Sequence, residues 1–329
     1  MININDIIFI PNDYKRLICK LEEITNIDFK YYRENFVEKR IKSRMIRLNL
    51  SDAKGYLQYI LTNPEEIPKF LSGFTINTSY FFRNIEVYEK IGQIIKANLN
   101  AIPPKFESNS GMSNNMFFLN KKIYYHEREK TPIFLNKMSL SKKIKNKLNG
   151  DSTIYIWSCA CASGEEPYSL SMFFQSIRDN ISKFPNYKII ASDIDEKALE
   201  NARIGMYLEE SLKEVPYYFK KSYFNRVNHR LGERYLFDEK IKKNIEFIKE
   251  DVTKGHQKKY KYDIIFCRYF LIYTDKNTRN EILNILHNKL AEGGLLVLGK
   301  TETLFNSYKN LKLVDSKNHI YIKDSKDLD

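Results

Sequence analysis

The 329-residue chain has only four cysteines, and no apolar run approaches the roughly 18 residues that a bilayer-spanning helix needs. The second absence predicts a protein without a membrane span. The first residues also lack a basic segment followed by a long apolar core, so no secretory signal is expected. With thiols this sparse, the expected setting is the reduced cytoplasm. Cys159 and Cys161 have the spacing of half a metal site, but no second cysteine or histidine pair has ligand spacing. No metal is therefore expected, and the two thiols read as small loop fillers. Acid is short as well: 54 Lys and Arg face 41 Asp and Glu, a net charge of +13. Such a balance favours an acidic partner, although much of the excess is lysine in asparagine-rich stretches.

A Gly-x-Gly-x-x-Gly fingerprint is also missing. In its place stands Ile154-Tyr-Ile-Trp-Ser-Cys-Ala-Cys-Ala-Ser-Gly-Glu-Glu-Pro167. An apolar, β-branched run reads as a buried strand, and the small residues 158–164 then form a turn. Glu165, Glu166 and Pro167 open a helix, since acids suit its positive end and proline its first turn. Strand, small-residue loop and helix together build a nucleotide pocket, because small side chains let a ligand approach the backbone. The loop holds one glycine, Gly164, and presents Glu166 where a diphosphate would want positive potential. An adenosyl ligand without phosphates fits better, and S-adenosylmethionine is the expected one. Residues 187–193 form a second strand ending in Asp193, whose carboxylate can accept both hydroxyls of a ribose. Asp195 then caps a helix.

Residues 1–75 read as short helices, one opening at Pro11, one over 31–48, one capped by Ser51-Asp52 and one opening at Pro64. The second carries Lys39, Arg40, Lys42, Arg44 and Arg47 with no acid among them, and Arg40, Arg44 and Arg47 are spaced for one face. That face is either a solvated one or a docking surface for an acidic helix. Residues 75–83 set Asn77, Thr78 and Ser79 directly before three aromatics and Arg83, and a helix follows over 86–98. Residues 101–150 are polar and lysine-rich, with a surface helix expected within 137–147; His126 is read as incidental. Aromatics between 205 and 243, including Tyr217, Tyr223 and Phe224, suggest a small antiparallel β insertion. Strands over 245–252, 262–267 and 295–299 resume the β/α alternation, with a helix over 276–290 closed by Gly293-Gly294. A last strand over 319–323 is expected to run antiparallel.

The motifs Asn77-Thr-Ser-Tyr-Phe-Phe-Arg83, Trp157-Ser-Cys-Ala-Cys-Ala-Ser-Gly-Glu-Glu-Pro-Tyr-Ser169, Ala191-Ser-Asp-Ile-Asp195, Ala202-Arg-Ile-Gly-Met-Tyr207, Phe266-Cys-Arg-Tyr-Phe-Leu-Ile-Tyr273 and Gly293-Gly-Leu-Leu-Val-Leu-Gly-Lys-Thr-Glu302 occur in this order. In that order they resemble the CheR family, S-adenosylmethionine-dependent methyltransferases that esterify glutamates on bacterial chemoreceptors. The resemblance implies an α/β fold: a Rossmann-like methyltransferase domain at 151–329 with a small antiparallel β subdomain at about 206–244. An all-α N-terminal domain at 1–85 would precede it, joined by a linker helix and insertion at 86–150. It implies cofactor contacts from Asn77, Ser79, Arg83, Glu166, Asp193, Asp251, Val252, Arg268 and Tyr269, and catalytic roles for Tyr273 and Arg83. It further implies the product S-adenosylhomocysteine, a receptor docked on Arg40, Arg44 and Arg47, and a cytoplasmic monomer. Relatives in the family usually carry Asn where this chain has Tyr269, and often Thr and Asn in place of Ser79 and Asp251. Two other readings remain open. A nucleic-acid methyltransferase would suit the charge, but base-amino enzymes place Asn/Asp-Pro-Pro-Tyr/Phe after the fourth strand, where this chain has Cys267-Arg-Tyr-Phe270. A signalling protein that binds the cofactor without catalysis is the other. Neither nucleic acid nor a membrane is expected as a partner.

Overall fold

The computed structural model describes residues 4, 7–75, 79–98, 142–148, 152–181, 184–229, 232–304 and 310–324. The expectations placed on Asn77, on His126 and on most of 101–150 lie outside these residues.

Four helices come first: α1 (Pro11–Thr25), α2 (Glu34–Arg47), α3 (Ala53–Thr62) and α4 (Glu66–Phe74). Pro11 opens α1, and the Asp52 carboxylate caps α3 by accepting from the Gly55 N–H at 2.8 Å. Apolar residues at helical spacing, among them Leu17, Leu21, Ile41, Met45 and Phe74, form one core. The basic run on α2 is not one solvated face. Arg44 turns inward and makes two hydrogen bonds to the Glu66 carboxylate, at 2.7 and 2.5 Å, with the Tyr56 hydroxyl also donating to it. Glu66 is 1% exposed, so a carboxylate sits in the helical core with one guanidinium as its counterion.

The rest is built on a seven-stranded sheet with helices on both faces. Its strands are β1 (Thr153–Cys159), β2 (Asn186–Asp193), β6 (Ile245–Lys249), β7 (Tyr262–Cys267), β8 (Leu290–Leu298), β9 (Leu311–Asp315) and β10 (Ile320–Lys323). They lie in the order β6-β2-β1-β7-β8-β10-β9, with β6 through β8 parallel. As expected, β10 runs antiparallel. The chain moves outward from β1 in both directions, which makes the crevice between β1 and β7 a topological switch point, where α/β sheets bind ligands. Crossovers carry α7 (Glu165–Asn180), α8 (Glu196–Ile204) and α11 (Lys276–Lys289); α5 (Ile85–Ala97) and α6 (Lys142–Leu148) pack beside the sheet.

Three local expectations change. Tyr217–Tyr223 is a helix, α9, not a strand. Pro216 stands at its start, and Phe219 and Tyr223, four apart, bury one side, so helical spacing outweighs the β preference of aromatics. The small antiparallel sheet still forms from β3 (Met206–Tyr207), β4 (Phe224–His229) and β5 (Gly232–Phe237), followed by α10 (Glu239–Lys242). Gly293-Gly294 does not close a helix: α11 ends at Lys289, and the glycines lie inside β8, where its register with β7 shifts between Tyr262 and Ile264. Finally, β9 pairs with β10 at the sheet edge without having been anticipated.

Candidate active site

The β1–α7 loop is folded tightly. Ala160 and Ala162 both take left-handed backbone conformations, φ 55° and 48°, which L residues adopt at a cost. Gly164 follows at φ 94°, and a Cβ there would meet the Ala202 Cβ at 2.8 Å. The Asp193 carboxylate holds this shape, accepting from the Ala162 N–H at 2.8 Å and from the Asp195 N–H at 2.9 Å. Burial pushes the Asp193 carboxyl up to about 6, although the two N–H donors pull it down. Alanines rather than larger residues bring this backbone beside a cavity of about 310 Å³ at the β1/β7 crevice.

Ser79, Arg83, Glu166, Asp193, Asp251, Val252, Arg268, Tyr269 and Tyr273, foreseen from the sequence, all line this cavity. Glu166, on the first turn of α7, accepts from Ser158 Oγ at 2.8 Å and from Arg268 Nη1 at 3.2 Å. Its carboxyl is raised by burial, with Arg268 opposing the rise. Arg268 also donates to the Arg83 carbonyl at 2.7 Å and to Asn84 Oδ1 at 2.6 Å. Its Nε is a buried donor without a hydrogen-bond partner among the described residues. β6 ends at Lys249, short of the expected 252, and Asp251, two residues beyond it, accepts from the Thr253 N–H and hydroxyl. Tyr273 packs against Phe36 with tilted rings, their centroids 4.9 Å apart, and burial raises its phenol above the ordinary value, so it is an O–H donor at neutral pH.

The helical unit roofs the cavity. The Tyr273 carbonyl accepts from the Arg33 N–H at 3.0 Å, Arg33 Nε donates to the Thr274 carbonyl at 3.2 Å, and Tyr32 lines the cavity wall. On the other side, Thr75 Oγ1 donates to Asp195 Oδ2 at 2.8 Å. The three arginines of α2 separate here. Arg40 lies over the Phe36 ring at 5.0 Å, beside Tyr273; Arg44 is bound to Glu66; Arg47 is exposed. Tyr32, Thr75 and Glu302 are residues to which the sequence assigned no role in the site, although Glu302 ends one of the motifs. Glu302 is 3% exposed, and its carboxylate accepts from the Tyr269 N–H at 2.7 Å, the Gly299 N–H at 2.8 Å and the Ile272 N–H at 3.3 Å. It thereby fixes the loop that carries Arg268, Tyr269 and Tyr273. An acid four residues beyond an apolar strand was the signal available.

The lining fits an adenosyl sulfonium. An acid closes β2, another follows β6, small residues form the floor, and Arg268, ion-paired to Glu166, keeps one buried Nε–H without a partner among the described residues. No group of three or more His, Cys, Asp or Glu suited to a metal occurs among the described residues. Sheet order and cavity together define an S-adenosylmethionine-dependent methyltransferase. Residues 12–75 match the family model described as CheR methyltransferase, all-alpha domain, and residues 124–320 match CheR methyltransferase, SAM binding domain. The chain belongs to the CheR methyltransferase family. It is 33% identical over 193 residues to a chemotaxis protein methyltransferase of Borreliella burgdorferi, covering 58% of this chain and 67% of that one. It is 25% identical over 304 residues to chemotaxis protein methyltransferase 2 of Vibrio cholerae, covering 91% and 88%. Among solved structures, glycopeptide N-methyltransferase MtfA complexed with S-adenosylmethionine is similar at TM-score 0.28 and 12% identity, over 44% of this chain and 43% of that one. A likeness that low adds nothing to the assignment.

Proposed function

We propose that this chain forms methyl esters on glutamate side chains in the helical methylation region of bacterial chemoreceptors, acting in the cytoplasm as a monomer. The observation that carries this reading is the combination in one cavity of the Arg83 guanidinium with the Tyr273 phenol. That set suits a carboxylate acceptor, and the relatives named chemotaxis protein methyltransferases support the receptor as its source. When bound, S-adenosylmethionine supplies a methyl group on a sulfonium, with the thioether as leaving group. A glutamate has a pKa near 4.3, so roughly one in 500 is protonated at pH 7 and no general base is needed. Asp193 accepts the ribose hydroxyls, Asp251 and Val252 flank the adenine, and Ser79, Arg83 and Arg268 hold the amino-acid end. Asn77 belongs to the same proposal by motif alone. Tyr273 donates to the acceptor carboxylate and holds one oxygen in line with the methyl. Opposite charges vanish in the transfer, so the roof provided by the helical unit helps by keeping water out.

Transfer of a radiolabelled methyl group to receptor cytoplasmic fragments, followed by peptide mapping, tests the proposal. Alkali-labile label on glutamates is the expected result. Label on RNA, or no transfer to either acceptor, would sink it. A Tyr273→Phe variant should turn over about tenfold to a hundredfold more slowly at saturating substrates, the worth of one charge-assisted hydrogen bond. Unchanged turnover would remove Tyr273 from the mechanism.

A further inference from the structure

Tyr269 occupies an unusual position. Its φ is 59°, in the left-handed region where a bulky residue is strained. The surroundings enforce this conformation. Its N–H donates to Glu302 Oε2, and Gly299 leaves the space its ring needs, since a Cβ at 299 would meet the Tyr269 nitrogen at 2.9 Å and Cδ1 at 3.0 Å. Held this way, the ring lies under the Arg83 guanidinium, 3.6 Å from its carbon to the ring centroid. The Tyr269 hydroxyl donates to Asn84 Oδ1 at 2.5 Å, and the same oxygen accepts from Arg268 Nη2. One strained aromatic residue therefore touches the support of both guanidiniums in the cavity.

We infer that Tyr269 is a positioning residue: its ring holds Arg83 toward the cavity before any ligand arrives, and its contribution to binding passes through Arg83. This rests on the assignment of the cavity to S-adenosylmethionine. A planar cation on an aromatic face is attracted by the ring's charge distribution, and more so when both are shielded from water. Fixing Arg83 in advance removes an ordering cost from ligand binding. A tyrosine that only filled space beside the cofactor would act independently of Arg83.

The test is calorimetric affinity for S-adenosylhomocysteine in the full chain, arranged as a double-mutant cycle. Tyr269→Leu should weaken binding about fivefold to thirtyfold. Tyr269→Phe keeps the ring and should recover most of that loss. Combined with Arg83→Ala, Tyr269→Leu should add no more than about a twofold further loss. Tyr269→Asn guards against misfolding as a cause, because asparagine is tolerated at positive φ. That variant should melt no lower than Tyr269→Leu while binding as weakly. In kinetics the loss should fall on KM for the cofactor more than on kcat. Additive losses in the cycle, or parental affinity in both Tyr269→Leu and Tyr269→Asn, would overturn the inference. A parent protein that binds no S-adenosylhomocysteine would overturn the cofactor assignment, and this inference with it.

Discussion

On the proposed ribose contact, Asp193→Asn should weaken S-adenosylhomocysteine binding by about tenfold to a hundredfold, the worth of replacing a charged acceptor with a neutral amide. The parent should show the same dependence through pH. With its carboxyl raised to about 6, Asp193 gains a proton as pH falls through that value, and affinity should drop. Its contribution to stability runs the other way. Its folded value lies above the ordinary 3.8, so between 3.8 and about 6 the folded protein binds more protons than the unfolded chain. Through this group, folding therefore strengthens as pH falls across that window, and its destabilising effect is complete above it. Glu165, Glu166 and Glu302 are also raised by burial, so the quantity to measure is the difference between parent and Asp193→Asn. Calorimetry between about pH 5 and 8 and thermal melting between about pH 4 and 8 would show both signs. Equal pH dependence of binding in the two proteins would remove Asp193 from the ribose site.

Arg44→Ala should destabilise the protein by about 3–5 kcal/mol, because it leaves the Glu66 carboxylate buried without its counterion. Replacing both partners together, Arg44→Met with Glu66→Leu, should restore part of that loss, limited by the Tyr56 hydroxyl, which then lacks an acceptor. Arg40→Glu should behave differently. Its parent side chain lies beside Tyr273 at the edge of the cavity, so charge reversal should slow methyl transfer to receptor fragments and flatten its dependence on ionic strength, with little change in stability. Denaturant unfolding and initial transfer rates separate the two. If Arg44→Ala unfolds like the parent but transfers slowly, Arg44 is a docking residue after all, and the buried pair contributes little.

The difference between these arginines shows where sequence reading stops. Spacing on α2 put Arg40, Arg44 and Arg47 on one face, and the period was right. The partner of Arg44 is on another helix, 22 residues away, and no local pattern announces it. The cavity was more legible because its walls come from local units. Strand, small-residue loop and acidic helix start are contiguous from Ile154 to Pro167, and Asp193 closes the neighbouring strand. What could not be read was the closure between distant segments: Tyr32 and Arg33 against residues 273–274, Thr75 against Asp195, and Glu302 against the Tyr269 loop. Tyr269 itself was legible only through the resemblance, which implies Asn at that position. The positive φ gives that departure a physical meaning, since asparagine accepts this conformation and tyrosine does so under constraint.

The function of this chain turns on what its cavity accepts. Titration of the purified chain with S-adenosylhomocysteine, with NAD as the comparison, tests this directly. One site per chain should release heat with S-adenosylhomocysteine, and NAD should give none, because Glu166 and the single-glycine loop offer nothing to a diphosphate. Heat with NAD and none with S-adenosylhomocysteine would contradict the account.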